Sequence, residues 1–263
     1  MNTLTLSPAR VATLMRHDIV TQSKSMLTGF GALAGVVISL FLIASASGGG
    51  SEFHTSLFIN ILVIGGFVVS STAFSELNDP KTGIHYLMLP GSSLEKYVAK
   101  LLLTSIGWTV SVVVLYILAT VVGTLLGGLF FATTPGVFLP SSRTIWVSIA
   151  GYLVSQSIFL FGSIYFRKVA FLKTALSAIV VAFSLGIVFV LATRIVFAPV
   201  FTGFFEIAPQ YSGSNPMVAL NLDTSRGQAL VRGLEAAGDV LTWIVAPVFF
   251  WVAGVLRLRE TEV

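Results

Sequence analysis

The chain has 263 residues, of which 55% are hydrophobic and only 10% charged. Soluble domains carry roughly a quarter charged residues, so a water-soluble globular protein is excluded and a polytopic all-α integral membrane protein is expected. The absence of cysteine removes disulfide frameworks, thiol chemistry and thiolate metal sites. The net charge of +4 is spread between apolar runs, a pattern that sets membrane topology and gives no sign of a nucleic-acid partner.

In chain order, the first element is an amphipathic helix at 7–22. Ser7 can cap it and Pro8 suits its first position, where a missing amide hydrogen costs nothing. Val11, Leu14, Met15 and Ile19 fall near one face, with Arg10, Arg16, His17 and Asp18 largely elsewhere. The expectation is a helix lying in the membrane interface. Six apolar segments follow, at about 26–44, 56–74, 101–131, 144–161, 174–193 and 241–256. Each is near or above the ~20 residues that cross ~30 Å of hydrocarbon. The third is longer than one crossing needs, so it must tilt or project beyond the bilayer. Ala44-Ser45-Ala46 has the form of a signal-peptidase site, but the polar region before it is long and amphipathic, and six retained spans fit the charge pattern best.

With the N-terminus inside, the inner segments hold eleven of the fifteen lysines and arginines: Arg10, Arg16, Lys24, Lys81, Lys96, Lys100, Arg167, Lys168, Lys173, Arg257 and Arg259. The outer segments hold Arg143, Arg194, Arg226 and Arg232. That bias places both termini, and the connection at 74–100, in the cytoplasm. Before the last span, IVFAPVFTGFFEIAP (195–209) is apolar but interrupted by Pro199, Gly203 and Pro209. It reads as a re-entrant or interfacial pair of short helices, followed by a polar, water-exposed stretch at 210–238. Gly31 with Gly35 and Gly123 with Gly127 have the spacing that lets helices approach closely, read here as packing within the chain.

Much chemistry is missing from the sequence. No span contains Asp, Glu, Lys, Arg or His, which disfavours a proton-coupled carrier or redox pump. His17, His54 and His85 lie outside the expected spans, leaving transmembrane haem ligation unsupported. There is no HExxH motif, and no lysine follows a glycine, so the phosphate loop of a nucleotide site is absent. No cofactor is expected in this chain.

The connection between spans two and three, FSELNDPKTGIHYLMLPGSSLEKYVAK (74–100), is the longest charged interval in the first half of the chain. Ser92 followed by Glu95 has the spacing of a capping box, and Pro90-Gly91 breaks whatever precedes it. A helix is predicted to start at Ser93 and run through Leu94, Glu95, Lys96, Tyr97 and Val98 into the third span. Tyr86, Leu87, Met88 and Leu89 form an apolar patch that either meets a partner or tucks against the bundle's own end. Glu95, Lys96, Asp79 and Lys81 can supply its polar rim.

At these residues the chain resembles the ABC-2 type permeases, the transmembrane half of a class of ATP-driven exporters. YLMLPGSSLEKYVAK (86–100) carries the likeness in sequence. The six-span plan, the N-terminal helix, the short helix between spans two and three and the broken segment before span six carry it in architecture. The resemblance implies a bacterial plasma-membrane protein whose cytoplasmic loop, Tyr86 to Lys96 with Pro90, Gly91, Ser92, Ser93, Leu94, Glu95 and Lys96 as its centre, couples to a separate ATP-binding cassette subunit. ATP and Mg would be held by that subunit. A second permease copy or a similar chain would complete a pathway in contact with membrane lipid. Two other classes stay open: a non-transporting scaffold or immunity protein using the same loop, and a lipid-modifying enzyme. For the enzyme, Arg194, Glu206, Asp223 and Asp239 are the only polar candidates, and their spacing matches no constellation.

Overall fold

The computed structural model describes residues 6–46, 51–131, 137–166, 168–196 and 225–262. Every regular element among them is helical and none is a strand. Six helices are long and apolar enough to cross a membrane: Pro8–Ala44, Phe53–Thr72, Ser93–Leu129, Arg143–Tyr165, Ala170–Val188 and Glu235–Thr261. Each overlaps one expected span, and the chain is a helical multi-pass membrane protein. The reason is that lipid offers no hydrogen bonds, so a spanning segment must satisfy its backbone internally.

The first helix, α1 (Pro8–Ala46), corrects the expected arrangement. A surface helix at 7–22 and a separate span at 26–44 are in fact one uninterrupted helix. At 1.5 Å per residue its 39 residues reach about 58 Å, roughly twice the hydrocarbon thickness. No glycine or proline stands between residues 9 and 28 to interrupt it. The apolar face of its first half meets protein: Val11 and Leu14 are buried with Ala99, and Met15, Leu89, Val98 and Leu102 pack around them. Ile19 is left exposed, and Asp18 turns inward.

The second crossing is made by α2 (Ser51–Asn60) and α3 (Gly66–Thr72), joined without a break by a π-helical turn at Ile61–Gly65. A short 3-10 turn (Ser75–Asn78) and α4 (Pro80–Leu87) lead into α5 (Ser93–Leu102). A second π-helical turn at Leu103–Gly107 continues α5 into α6 (Trp108–Phe131). The predicted start at Ser93 is correct, and the charged segment 93–100 is continuous with the third span. α7 (Arg143–Tyr165) is capped by Ser142, whose hydroxyl accepts from the Ile145 amide.

Two compact units divide the chain, residues 1–171 with 249–263 and residues 172–248. In the first, Val37 of α1, Phe58 and Leu62 of the second crossing, Val112 and Tyr116 of α6 and Ile145 and Tyr152 of α7 form the main core. Phe138, in the segment before α7, stacks on Phe58 and meets Tyr116 edge-on, closing that end of the core. His54 belongs here too, contrary to the expectation that it lies outside the spans. It is buried beside Phe41, and the Tyr116 hydroxyl donates to its backbone carbonyl at 3.1 Å. A second core lies at the other end of the crossing: Phe74, Tyr86, Tyr97, Leu160, Ile164 and Leu258. Ser7, whose amide bonds Glu95, lies at that same end, as does Leu258.

The second unit holds most of α8 (Ala170–Val196) and α9 (Ser225–Val240). α9 continues through a third π turn (Leu241–Val245) into α10 (Ala246–Glu262). The polar stretch expected at 210–238 is therefore helical from Ser225 onward, and its described side chains are exposed. Of the broken segment at 195–209, only Ile195 and Val196 fall within the described residues, as the end of α8; the expected re-entrant pair lies outside them.

The two glycine pairs behave differently. A Cβ on Gly123 would sit 2.6 Å from the Phe41 ring, so this glycine admits a helix contact within the chain, as expected. Gly31 and Gly35 meet nothing within 4 Å. Gly31 instead lines an open apolar groove of about 590 Å³ between α1 and α6, so packing within the chain does not account for this pair.

Candidate functional site

The connection between the second and third spans folds into a compact charged collar. Asp79 starts α4 by accepting from the Lys81 amide at 3.2 Å, with Pro80 at the first helical position. The Thr82 hydroxyl donates to the Glu76 carbonyl at 2.7 Å and ties α4 to the preceding 3-10 turn. Pro90 and Gly91 turn the chain, and the capping box forms at α5. The Glu95 amide donates to Ser92 Oγ at 3.2 Å, and the Ser92 amide donates to Glu95 Oε2 at 2.9 Å.

Glu95 has a further partner that sequence spacing gives no hint of. Its Oε1 accepts from the Ser7 amide at 2.8 Å and lies 3.4 Å from Arg10 Nε. One fully buried carboxylate thus satisfies the first turn of α5 and the entry to α1 together. Glu95→Ala removes both sets of bonds at once and is expected to lower stability by about 2 kcal/mol. Denaturation midpoints of both proteins in lipid check this.

Lys96 and Lys100, one turn apart on α5, also point inward. Lys96 Nζ donates to the Leu87 carbonyl at 2.9 Å, closing the C-terminal end of α4. Lys100 Nζ sits 2.9 Å from Glu76 Oε2 and 3.2 Å from Asp18 Oδ2. The Gln22 amide donates to Glu76 Oε1 at 3.1 Å. Both ammonium groups lie over the Tyr86 ring, at 5.8 and 5.2 Å from its centroid. Tyr86 meets Phe74 edge-on, and Phe74 stacks on Tyr97. The collar is therefore a closed structure in which ion pairs join α1, the turn at 75–78 and α5, and hydrogen bonds from Lys96 and Thr82 tie in α4.

This geometry divides the predicted site residues into two groups. Tyr86, Ser93, Glu95 and Lys96 are buried, and Leu89 packs on the second core and against α1. Leu87, Gly91, Ser92 and Leu94 are half-buried. Met88, 76% exposed, and Pro90 face outward. Beside them Ile84 and His85 are exposed on α4, although neither belongs to the predicted set. The apolar patch is thus split: Tyr86 and Leu89 tuck against the bundle, while Ile84 and Met88, four residues apart, share the outward face of α4.

The triad of buried Asp18 and Lys100 with half-buried Glu76 was missed by sequence reasoning. Lys100 follows Lys96 at one helical turn, a spacing that signals a shared face, but nothing local says which carboxylates it meets across 24 and 82 residues. Among the described residues no group of His, Asp or Glu is placed to hold a metal ion. Comparison with models of known protein families, with characterised proteins and with solved structures gives no match to this chain.

Proposed function

We propose that the chain is the membrane-spanning subunit of an ATP-driven transporter of the ABC-2 permease type, an exporter in the bacterial plasma membrane with the collar and both termini in the cytoplasm. ATP and Mg belong to a separate ATP-binding subunit, and a second copy or a similar chain completes the pathway through the lipid. The observation that carries this reading is the collar. Its outer face is tied to α5 through the Lys96 bond to the Leu87 carbonyl and through buried Tyr86, and α5 is tied to α1 by ion pairs, so a push on that face passes into two spanning helices. That outer face offers Ile84, His85, Met88 and Pro90, an apolar ridge with polar neighbours such as Asp79 and Lys81. The missing phosphate loop agrees with an energy source that docks from outside the chain.

The test is reconstitution in lipid nanodiscs with candidate ATP-binding cassette subunits of the same genome. Complex formation with stimulated ATP hydrolysis is expected. The double change Ile84→Asp, Met88→Asp is expected to weaken the complex at least about tenfold, since a charge would be buried without a partner at the contact. The chain's own stability should stay within about 0.5 kcal/mol, because both side chains are exposed. A complex that forms without changing ATP hydrolysis would favour the scaffold reading.

A further inference from the structure

The π-helical turns of the second and third spans lie beside one another and beside α7, and two aromatic side chains lock them together. Trp108, at the exit of the turn at Leu103–Gly107, donates its indole N–H to the Leu62 carbonyl in the other turn at 3.0 Å. Its ring fills the gap left by Gly65, where a Cβ would lie 2.5 Å from it. Tyr152 of α7 lies over Gly66 and donates its hydroxyl to the Thr104 carbonyl at 2.6 Å.

The backbone at this joint is held between registers. The Trp108 amide bonds the Leu103 carbonyl, five residues back, and the Ser105 carbonyl, three residues back. The oxygen it would take in a regular α-helix is that of Thr104, and Thr104 is the carbonyl that Tyr152 occupies. We infer that the Tyr152 hydroxyl is a latch that keeps the third span in its π register, and that the span has a second state with an α-helical joint. A π turn contains one extra residue. Closing it would rotate α5 by about 100° relative to α6 and shift it by about 1.5 Å, the step of one residue. Glu95, Lys96 and Lys100 all ride on α5, so the rotation exchanges the collar's buried contacts. Tyr152 is a positioning residue: it touches no ligand and acts through the helix it latches. The inference concerns the bundle alone and does not depend on what loads the collar.

The chain contains no cysteine, so spin labels can be placed without altering a native residue of that type. Labels at Leu94→Cys and Val110→Cys bracket the joint, and their distance distribution in nanodiscs reads its register. Tyr152→Phe keeps the ring and removes the latch. It is expected to raise a second distance population about five- to tenfold, as loss of one buried hydrogen bond implies; a distribution unchanged from the unsubstituted latch overturns the inference. A pair of single-residue deletions supplies an arm that does not rely on Tyr152→Phe folding. Removing Ile106, an exposed residue within the π turn, is expected to leave a folded protein with one distance population and no response to Tyr152→Phe. Removing Leu118, an exposed residue about three turns further along α6, is expected to abolish folding, because either the side chains after it change face or, if the turn closes, Trp108, Val112 and Tyr116 leave the core. Equal damage from the two deletions would show that the turn holds no removable residue and would also overturn the latch.

Discussion

Replacing Lys100 with methionine is expected to destabilise the protein by about 3 kcal/mol or more, the penalty of leaving buried carboxylates without their cation. Lys100 and Asp18 are almost fully buried, and Glu76 is only a quarter exposed. Methionine keeps the length and the apolar stem of lysine, so the loss isolates the charge. The triple change Lys100→Met, Asp18→Asn, Glu76→Gln removes the charges together and is expected to recover most of the stability. Unfolding midpoints of the three proteins in lipid check this. A triple variant no better than Lys100→Met would show that packing, and not charge, ties α1 to α5. If the chain works with an ATP-binding subunit as proposed, the triple variant should still form the collar but hold α1 less firmly, and ATP hydrolysis in the complex should fall further than stability does.

Gly66→Ala is the second large effect. A Cβ at this position would lie inside the van der Waals envelope of the Tyr152 ring, close to its hydroxyl. Tyr152 cannot retreat freely, because its hydroxyl is bonded to the Thr104 carbonyl and its ring is among the most buried in the chain. Overpacking of this kind typically costs about 1–3 kcal/mol and here is expected at the upper end. Gly35→Ala is the control. Nothing lies within 4 Å of its added methyl, so the change should be neutral or stabilise by a few tenths of a kcal/mol through helix propensity. Combining Gly66→Ala with Tyr152→Ala should relieve the overlap while still losing the latch, which separates steric damage from loss of the hydrogen bond. Parallel melts of the three variants and the wild type decide the ranking.

The sequence by itself determined the membrane class, the six apolar crossings and the start of α5. These rest on local quantities: the length of an apolar run against the bilayer, and the Ser92–Glu95 spacing of a capping box. Both are complete within one helix, so no distant residue can change them. The tertiary structure alone decided the rest. Val11 and Leu14 look from periodicity like a face for the membrane surface, but α5 lies within reach and covers them. Nothing in the local spacing of Asp18 and Glu76 announces that the fold brings Lys100 between them. Within the predicted loop, Tyr86, Glu95 and Lys96 turned inward, while Ile84, outside the predicted set, joined Met88 on the outer face. The π turns at 61–65 and 103–107 carry no local signature, because their carbonyls are taken by Trp108 and Tyr152 from neighbouring helices. An apolar run states that a helix will cross a membrane; which of its few polar groups face one another depends on rotations of whole helices, and only packing sets those.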